Sequence, residues 1–585
     1  MDVSIGQEVG YAVKNDKKTS DNTRLIYTTD GYLLQAAKND PTLSEFSCII
    51  IDEAHERTVD TDVLLGLLAK RRDDLKVVIM SATMDAAKFA TYFGNAPTLH
   101  IPGQPHTLDI LYLEEASPDY HVDTVRTVKI IHDEYPRGDI LVFMMSSNEI
   151  ERVCTILRRN CQDLDVMPLY GALTKSEQQR ALVQTERRKC IIATNIAETS
   201  LTIENVSYVV DCGYCIQSVY NPRTRTRVLQ TGIISKAAAG QRAGRAGRTS
   251  AGTCFRVYTE EFHDEVMLNT TRPQIFTTEG KAVVLAIKSL GHNDVFAFNW
   301  LDAPQPETML RALGDLRDLG FLDGTMKITD RGRSASRLPI DAMWLYAIME
   351  GHDNWSCGAE MCAIAAICST QRPVFLRPSA HRYASDELRR QWVHPLSDHI
   401  TLLNVLHAYV DVRTKAETVS DRQTWCFANF LSYEALEEAF ETRDQICTMI
   451  QRDVVRGWIS KIPFRHPNDY DNIRRCLARG LFLQSAFRHE EDVYRTFHDN
   501  QDALLHYHSA LMVMAYGIDG QIVVFSSQTL TLVVCGATLT QSESSHITKT
   551  TWVEIALLEN PRIRVVIHDH ASVVVGTGLK GKLCC

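Results

Sequence analysis

The residues best suited to chemistry lie in the stretch CIIIDEAHERT, residues 48–58. An apolar run ends there in two carboxylates, Asp52 and Glu53, followed by a histidine, His55. Because ligands bind at the carboxyl edge of a parallel sheet, such a strand would carry these side chains into a binding site. Asp52 is suited to hold Mg²⁺ through its water shell, and Glu53 to polarise an attacking water. Taken alone, the same residues also fit an ordinary strand-to-helix turn with acidic caps.

A second chemical pattern is QRAGRAGR, residues 241–248. Arg242, Arg245 and Arg248 recur at a spacing of three, which predicts that they follow one face of a helix. Guanidinium groups arranged in this way suit the phosphates of a nucleoside triphosphate. A solvated basic helix is the weaker alternative, because the intervening glycines disfavour a helix built for stability alone.

Two polar stretches follow other apolar runs. Ser81-Ala-Thr83 follows the run KVVIM, and ATNIAETSLTI spans residues 193–203. Hydroxyl residues after a strand are commonly helix caps, so the first of these stretches says little by itself.

The first half of the chain alternates short apolar runs with helical patterns. We predict strands at Cys48–Asp52, Val77–Ser81, Ile140–Phe143, Val166–Leu169, Cys190–Thr194, Val206–Asp211 and Cys254–Tyr258. Between them we predict helices at Thr61–Arg71, Asp85–Phe93, Ser147–Arg158 and Lys175–Gln184. This order, with strands that are apolar throughout, indicates an α/β fold whose parallel sheets are covered on both faces.

The pattern changes after about residue 270. Thr277–Leu290 and Pro306–Leu319 are predicted helices, and residues 321–329 are predicted to form a short hairpin with an Asp-Gly turn. Two helices and a ribbon indicate a winged-helix unit. Residues 339–451 are helical almost throughout, and strand-like runs return at Ile522–Phe525, Leu530–Val534 and Val565–His568.

Composition excludes several classes of protein. The net charge of −10 gives no support to a basic coat over the whole surface, so any nucleic-acid site is a local groove. Sixteen cysteines spread over 585 residues are not a disulfide scaffold. No apolar run has the length of a membrane span, so no membrane partner is expected.

Taken together and in this order, the motifs resemble those of the DEAH-box RNA helicases of superfamily 2. The resemblance is closest to the helicases of pre-mRNA splicing and spliceosome disassembly, and it covers residues 2 to about 505. The stretches that carry it are TDGYLL at 29–34, DEAHERT at 52–58, SAT, ATNIAETSLTI, VYNPR at 219–223, QRAGRAGR, PQPETM at 304–309 and DHITLLN at 398–404.

The resemblance implies an order of domains. Residues 1–98 would be the C-terminal part of a first RecA-like domain, and 99–265 a complete second one. Residues 266–338 would form a winged helix, 339–455 a helical ratchet domain, and 456–585 an OB-fold-like domain that becomes irregular after about 507. The family's phosphate loop, GxxxxGK[ST], precedes Thr29 and does not occur in residues 1–585, so we expect this sequence to be N-terminally incomplete.

Site residues follow from the resemblance by position. Glu53, His55 and Gln241 would be catalytic, and Asp52 would serve the Mg²⁺ of bound ATP. Further positions in the pattern are Thr202, Arg245 and Arg248 for the nucleotide, Ser81 and Thr83 for coupling to domain movement, and Thr29, Thr194, Asn195, Arg223 and Arg225 for RNA. The hairpin from about Gln217 to Leu229 would separate strands or brace the RNA.

The resemblance also implies partners and a compartment. RNA is the expected ligand, with a glycine-rich-patch activator protein and spliceosomal or pre-ribosomal particles as further partners. The nucleus is the expected location, together with the nucleolus or cytoplasm. The alternative function is a non-catalytic RNA-binding pseudo-helicase or scaffold, which the missing phosphate loop would favour.

Overall fold

The computed structural model divides the chain into two compact units. The first comprises residues 1–283 and 294–308, and the second comprises residues 284–293 and 309–585. The structure describes residues 3–13, 16–70, 72–81, 86–101, 106–171, 173, 175–183, 185–198, 203, 205–223, 225–247, 251–338, 340–370, 372–378, 381–453, 469–488, 493–497, 500–504, 509, 522–526, 529–533, 551–553, 563–567 and 573–577.

The N-terminal part of the first unit contains two small sheets. Strands Val9–Val13, Asp16–Lys18 and Leu25–Thr28 form one, with Val9–Val13 in the middle. Cys48–Ile51 and Lys76–Ile79 form the other and run parallel. The helices here are Asp30–Asn39, Val59–Leu68 and Ala86–Tyr92.

Two of these helices begin at capping threonines. The Thr29 and Thr58 hydroxyls accept backbone N–H bonds from Tyr32 and Thr61 respectively. Each hydroxyl satisfies one N–H that the first helical turn leaves without a partner. TDGYLL therefore starts at a helix cap, and DEAHERT ends at one.

A six-stranded parallel sheet forms the centre of the rest of the first unit. In spatial order its strands are Leu108–Tyr112, Gly252–Arg256, Val206–Asp211, Asp139–Phe143, Arg188–Ala193 and Leu164–Leu169. The helices of this region are Tyr120–Glu134, Ser147–Asn160, Lys175–Leu182 and Lys236–Ala243. Buried apolar clusters lie on both faces of the sheet, as the apolar strands predict.

A long antiparallel hairpin leaves this sheet. Its strands are Tyr214–Asn221 and Thr226–Ile233, paired over their full length. Gly213 makes the turn from strand Val206–Asp211 with φ +81°, and a Cβ there would lie 2.7 Å from the Tyr258 ring. Only glycine fits both the backbone angle and the close approach.

The later part of the chain is mostly helical. Its helices are Lys281–Ser289, Pro306–Asp318, Asp330–Ser336, Ala342–Asp353, Gly358–Cys368, Arg382–Arg389, Asp398–Lys415, Val419–Ala428, Tyr433–Asp453 and Asp469–Gly480. The predicted hairpin at 321–329 is present as one antiparallel bridge between Leu322 and Ile328.

The C-terminal strands form two antiparallel sheets. The first contains Ser485–Arg488, Val493–Thr496, Asp502–Leu504, Ile522–Ser526 and Thr529–Val533. The second contains Thr551–Val553, Ile563–Ile567 and Val573–Thr577. Their positions confirm the three predicted C-terminal strands to within two residues.

The sequence-predicted elements of the first half are confirmed with small shifts at their ends. Two elements of the six-stranded sheet region were not predicted, the strand Leu108–Tyr112 and the helix Tyr120–Glu134. The ranges of the five domains stay predictions. Among the described residues, no helix combines the length and apolar character that crossing a membrane requires.

Candidate functional site

The turn after strand Cys48–Ile51 is held in an unusual backbone conformation. Here we call residues 52–57 the DEAH turn. Glu53 and Arg57 both have φ +49°, in the left-handed region that side chains other than glycine rarely adopt. Met80 fixes the turn from the neighbouring strand: its N–H donates to Ile51 O at 2.8 Å, and its carbonyl accepts the Ala54 N–H at 3.0 Å. A backbone held this firmly against its preference is common at functional sites.

The first two carboxylates of the DEAH turn, Asp52 and Glu53, face outward. Asp52 is exposed, and one of its oxygens accepts the Glu53 N–H at 2.9 Å. The Glu53 side chain is 55% exposed. Adjacent, solvent-accessible carboxylates match the oxygen ligands and retained waters that Mg²⁺ prefers. Asp52 and Glu53 therefore fit a hydrated Mg²⁺ ion with its bound phosphates.

His55 connects the DEAH turn to the helix Lys236–Ala243. Its Nε2 lies 2.5 Å from Gln241 Nε2 and 3.3 Å from Glu53 Oε2, while its side chain is only 7% exposed. The structure thus brings together the three residues predicted to be catalytic, although Gln241 is 186 positions away from His55 in sequence. One ring nitrogen faces both partners, so the imidazole couples Gln241 to the carboxylate.

Arg242 does not contribute to the exposed site. It is 1% exposed, donates to Glu198 Oε2 at 3.0 Å and Asp211 Oδ1 at 2.8 Å, and lies 4.8 Å from the centre of the Phe143 ring. Burial by itself would lower the pKa of the guanidinium, but the negative charges of Asp211 and Glu198 outweigh it and raise the pKa. Arg242 is therefore a fixed cation inside the domain.

The prediction that three arginines follow one helical face is wrong. The helix ends at Ala243 because Gly244 caps it, so Arg245 lies in the turn beyond. Arg245 is 4% exposed, and its Nε donates to the Glu198 carbonyl at 2.7 Å, with Nη2 on the same oxygen. Arg248 lies outside the described residues, as do Thr83 and Thr202.

Arg57 ties the DEAH turn to more distant parts of the first unit. It forms a two-point ion pair with Asp62, at 2.6 and 3.1 Å, and a second ion pair with Asp302 at 2.7 Å. Lys88 also binds Asp302, at 2.6 Å. The Asp302 pKa is lowered, since Lys88 and Arg57 outweigh a burial effect that would raise it. No sequence pattern indicates this cluster, because Lys88 and Asp302 are far from Arg57 in the chain.

The predicted RNA residue Thr29 is linked to the DEAH turn through its neighbour Asp30. Asp30 Oδ2 accepts the hydroxyls of Thr58 at 2.5 Å and Thr61 at 3.0 Å. Those two threonines begin the helix that follows the DEAH turn. Two hydrogen bonds therefore link the two motifs.

Thr194 and Asn195 lie at the carboxyl edge of the six-stranded sheet. They line a surface cavity of about 280 Å³ together with Ser146, Ser147 and Gly171. Hydroxyl, amide and backbone N–H groups of this kind are suited to phosphate and sugar oxygens. The cavity was not predicted; the Ser146-Ser147 pair after strand Asp139–Phe143 was the signal that could have indicated it.

The tip of the hairpin carries Arg223 and Arg225. The Arg223 side chain is 81% exposed and its Nε lies 3.4 Å from Glu307. Arg225 has φ +53° and is half-buried. Ser81, which directly follows Met80, lies beside the DEAH turn and is half-buried. The hairpin is longer than the predicted range of 217–229, since it spans residues 214–233.

Two family models match the chain in segments that contain this site. Residues 2–90 match the model described as DEAD/DEAH box helicase. Residues 123–250 match the model described as helicase conserved C-terminal domain. Asp52, Glu53 and His55 lie in the first segment, and Gln241 and Arg245 lie in the second.

Proposed function

We propose that this chain, whose two domain matches indicate a helicase of superfamily 2, is an ATP-dependent RNA helicase of the DEAH-box type. The 2.5 Å contact between His55 and Gln241 carries the proposal, because it links residues of the two matched segments beside the exposed carboxylates. ATP with Mg²⁺ is the cofactor. Phosphoryl transfer depends mainly on positioning and on charge stabilisation, which residues from two domains can supply when they meet.

The proposed roles follow the motifs, and the contacts of His55 with Glu53 and Gln241 support the catalytic ones. Asp52 holds Mg²⁺ through water, Glu53 polarises the attacking water, and Gln241 positions it with His55. Thr202, Arg245 and Arg248 serve the nucleotide, and Ser81 and Thr83 transmit hydrolysis to the domains. Arg245 would have to leave the Glu198 carbonyl in order to reach a phosphate.

RNA binding is proposed along the carboxyl edge of the six-stranded sheet and the hairpin. Thr29, Thr194 and Asn195 contact the backbone, and Arg223 and Arg225 contribute charge. The second unit would supply part of the winged helix, together with the ratchet domain and the OB-fold. We further propose a role in pre-mRNA splicing or ribosome biogenesis in the nucleus, with a glycine-rich-patch activator.

A titration of the full chain with labelled single-stranded RNA at low salt tests the RNA-binding part. We expect saturable, salt-sensitive binding with little sequence preference, because backbone phosphates dominate such contacts. The double variant Arg223→Ala, Arg225→Ala should bind more weakly, whereas Arg126→Ala, an exposed arginine on the helix Tyr120–Glu134, should not. Absence of any RNA binding by the folded chain would refute the proposal.

Hydrolysis requires a different experiment, because no GxxxxGK[ST] stretch occurs within residues 1–585. We expect little RNA-stimulated ATP hydrolysis from this chain. Addition of the phosphate-loop segment of a DEAH-box helicase ahead of Met1 should produce it, and Glu53→Gln should abolish it. If the extended chain folds and binds RNA but never hydrolyses ATP, the second candidate is supported: an RNA-binding pseudo-helicase.

A further inference from the structure

A cleft in the first unit lies outside the proposed nucleotide and RNA residues. It has a volume of about 300 Å³, and its walls come from the loop after strand Leu108–Tyr112, the base of the hairpin and the segment after strand Gly252–Arg256. We call it the aromatic cleft. Its lining includes four aromatic and two acidic side chains: Tyr120, Tyr214, Tyr258, Phe262, Glu261 and Glu265.

Four aromatic rings form the inner wall of the aromatic cleft. Ring centres are 5.6 Å apart for Tyr120 and Tyr214, 6.1 Å for Tyr214 and Phe262, and 5.8 Å for Tyr258 and Phe262. Two of the rings are anchored by their hydroxyls: Tyr120 donates to Glu149 at 2.7 Å and Tyr258 to Asp211 at 3.0 Å. The wall is therefore fixed before any ligand arrives, which reduces the entropy cost of binding.

The outer edge of the aromatic cleft is acidic. Glu261 and Glu265 line it and are exposed, and among the described residues neither forms an ion pair. Other charged groups nearby have partners of their own. Asp264 forms ion pairs with His263 and Lys236, and the buried Arg256 lies against the Tyr112 and Tyr258 rings. Two carboxylates in front of aromatic faces attract a cation and repel phosphate.

One exposed apolar side chain completes the surface. Val266 lines the aromatic cleft and is 50% exposed. A lone inorganic cation would make no use of this valine. A peptide that carries a basic side chain with an aliphatic neighbour would use the rings, the carboxylates and the valine together.

We propose that the aromatic cleft docks a basic segment of a protein partner, with an arginine or lysine side chain against the rings. The guanidinium or ammonium group lies between the ring faces and the two glutamates, and an adjacent aliphatic residue contacts Val266. This surface is separate from the proposed RNA-contacting residues, so protein docking and RNA binding can occur together. The proposal does not depend on ATP hydrolysis.

Peptide binding tests this assignment on the full chain. The probe is a short fluorescein-labelled Gly-Ser peptide with a central Arg-Leu-Arg, and its partner peptide has citrulline in place of both arginines. Citrulline keeps the shape of arginine but removes the charge. We expect a saturable rise in anisotropy with the arginine peptide. The citrulline peptide should bind about fivefold more weakly.

Charge-neutral variants then locate the site. Glu261→Gln with Glu265→Gln should weaken binding of the arginine peptide about fivefold, because two ion pairs are lost while shape is kept. Phe262→Leu should weaken it too, by removing one ring. The matched control Asp133→Asn with Glu134→Gln, on an exposed helix end elsewhere, should leave binding within about twofold.

Three results would overturn the proposal. Equal binding of the arginine and citrulline peptides would show that no cation is recognised. Unchanged binding by the double glutamine variant would place the peptide elsewhere. Displacement of the peptide by single-stranded RNA, with tighter RNA binding to the double glutamine variant, would assign the cleft to nucleic acid. The double variant Arg223→Ala, Arg225→Ala separates this proposal from the proposed function. It should lose RNA binding and keep peptide binding.

Discussion

Replacement of Arg242 by methionine tests how much the buried cation contributes to the second matched domain. Arg242→Met keeps the approximate length of the side chain but removes the positive charge. It removes the cation that Glu198 and Asp211 share, and Asp211 is fully buried; Arg245 remains close to Glu198 only. We expect the variant to be strongly destabilised, and least so at low pH.

The size of the effect follows from the contacts. Removal of one partner from a buried ion pair costs about 3–5 kcal/mol, because the remaining charge is uncompensated. Asp211 keeps two hydrogen bonds, from the Gly213 N–H and the Tyr258 hydroxyl, both at 3.0 Å. These bonds offset part of the loss, so about 3 kcal/mol is expected, equivalent to about a hundredfold in an equilibrium constant.

The pH dependence has a defined sign. Burial already raises the Glu198 pKa, and Arg242 opposes that rise. Without Arg242 the pKa of folded Glu198 rises further, so protonation relieves the penalty as pH falls toward about 5. The difference between the variant and the wild type should therefore be larger at pH 8 than at pH 5.

Hydrogen exchange followed by mass spectrometry measures the loss of stability around Arg242 itself. An unfolding curve of the whole chain cannot do so, because a chain of several domains does not unfold in two states. Peptides that cover strand Val206–Asp211 should exchange about a hundredfold faster in Arg242→Met. Arg126→Met, which removes an exposed arginine, should change exchange by less than about threefold. Protection of this strand within threefold of the wild type in Arg242→Met would refute the reasoning.

Three further perturbations have directions set by the structure. Gln241→Ala in the chain extended by a phosphate loop should lower kcat for ATP about a hundredfold, because His55 loses its partner across the site, and steady-state kinetics measures it. Arg57→Met should destabilise the DEAH turn by about 3 kcal/mol by leaving the buried Asp62 unpaired, measured by hydrogen exchange of residues 48–68. His399→Leu should make the stability of the second unit depend less on pH in acid. Burial lowers the pKa of His399 to about 3, so below about pH 6.5 the unfolded state binds more protons than the folded state. The free energy of unfolding of the wild type therefore falls as the pH falls toward 3.

Each of these has a contrary outcome, and two have a control variant. Gln162→Ala, an exposed residue, should leave kcat unchanged, and a normal kcat in Gln241→Ala would remove Gln241 from the site. Unchanged exchange in Arg57→Met would show that Asp62 does not depend on its partner. An acid-unfolding midpoint of His399→Leu identical to that of the wild type, and to that of the partly exposed His352→Leu, would mean that His399 does not control the transition.

The fold could be predicted from the sequence where apolar periodicity is strong. Buried parallel strands such as Val206–Asp211 are continuous apolar runs, and their pattern gives their ends closely. Strand Leu108–Tyr112 is half-exposed at the sheet edge and contains Asp109, so it has no such run. Helix Tyr120–Glu134 is rich in β-branched residues of weak helix propensity; burial of Thr124, Val128 and Ile131 along one face stabilises it instead.

The candidate site also has a part that the sequence predicts and a part that it does not. The order of motifs predicted that Glu53, His55 and Gln241 belong together, and the geometry places His55 in contact with both of the others. No local pattern could show that Arg57 pairs with Asp302, which is 245 positions away. The spacing of three between the arginines also could not show that Arg242 is buried. Nor does that spacing indicate that the helix ends at Gly244, before Arg245.

The position of His55 Nε2 makes its two hydrogen bonds mutually exclusive. To accept from the Gln241 amide the nitrogen must present a lone pair, and to donate to Glu53 it must carry a proton. One atom cannot do both at once. When the Gln241 amide donates to Nε2, the imidazole cannot donate to Glu53 through the same nitrogen, and when Nε2 carries the hydrogen, Gln241 can only accept through its amide oxygen. A residue of the second matched segment therefore determines which hydrogen bond a histidine of the first can offer to the Glu53 carboxylate.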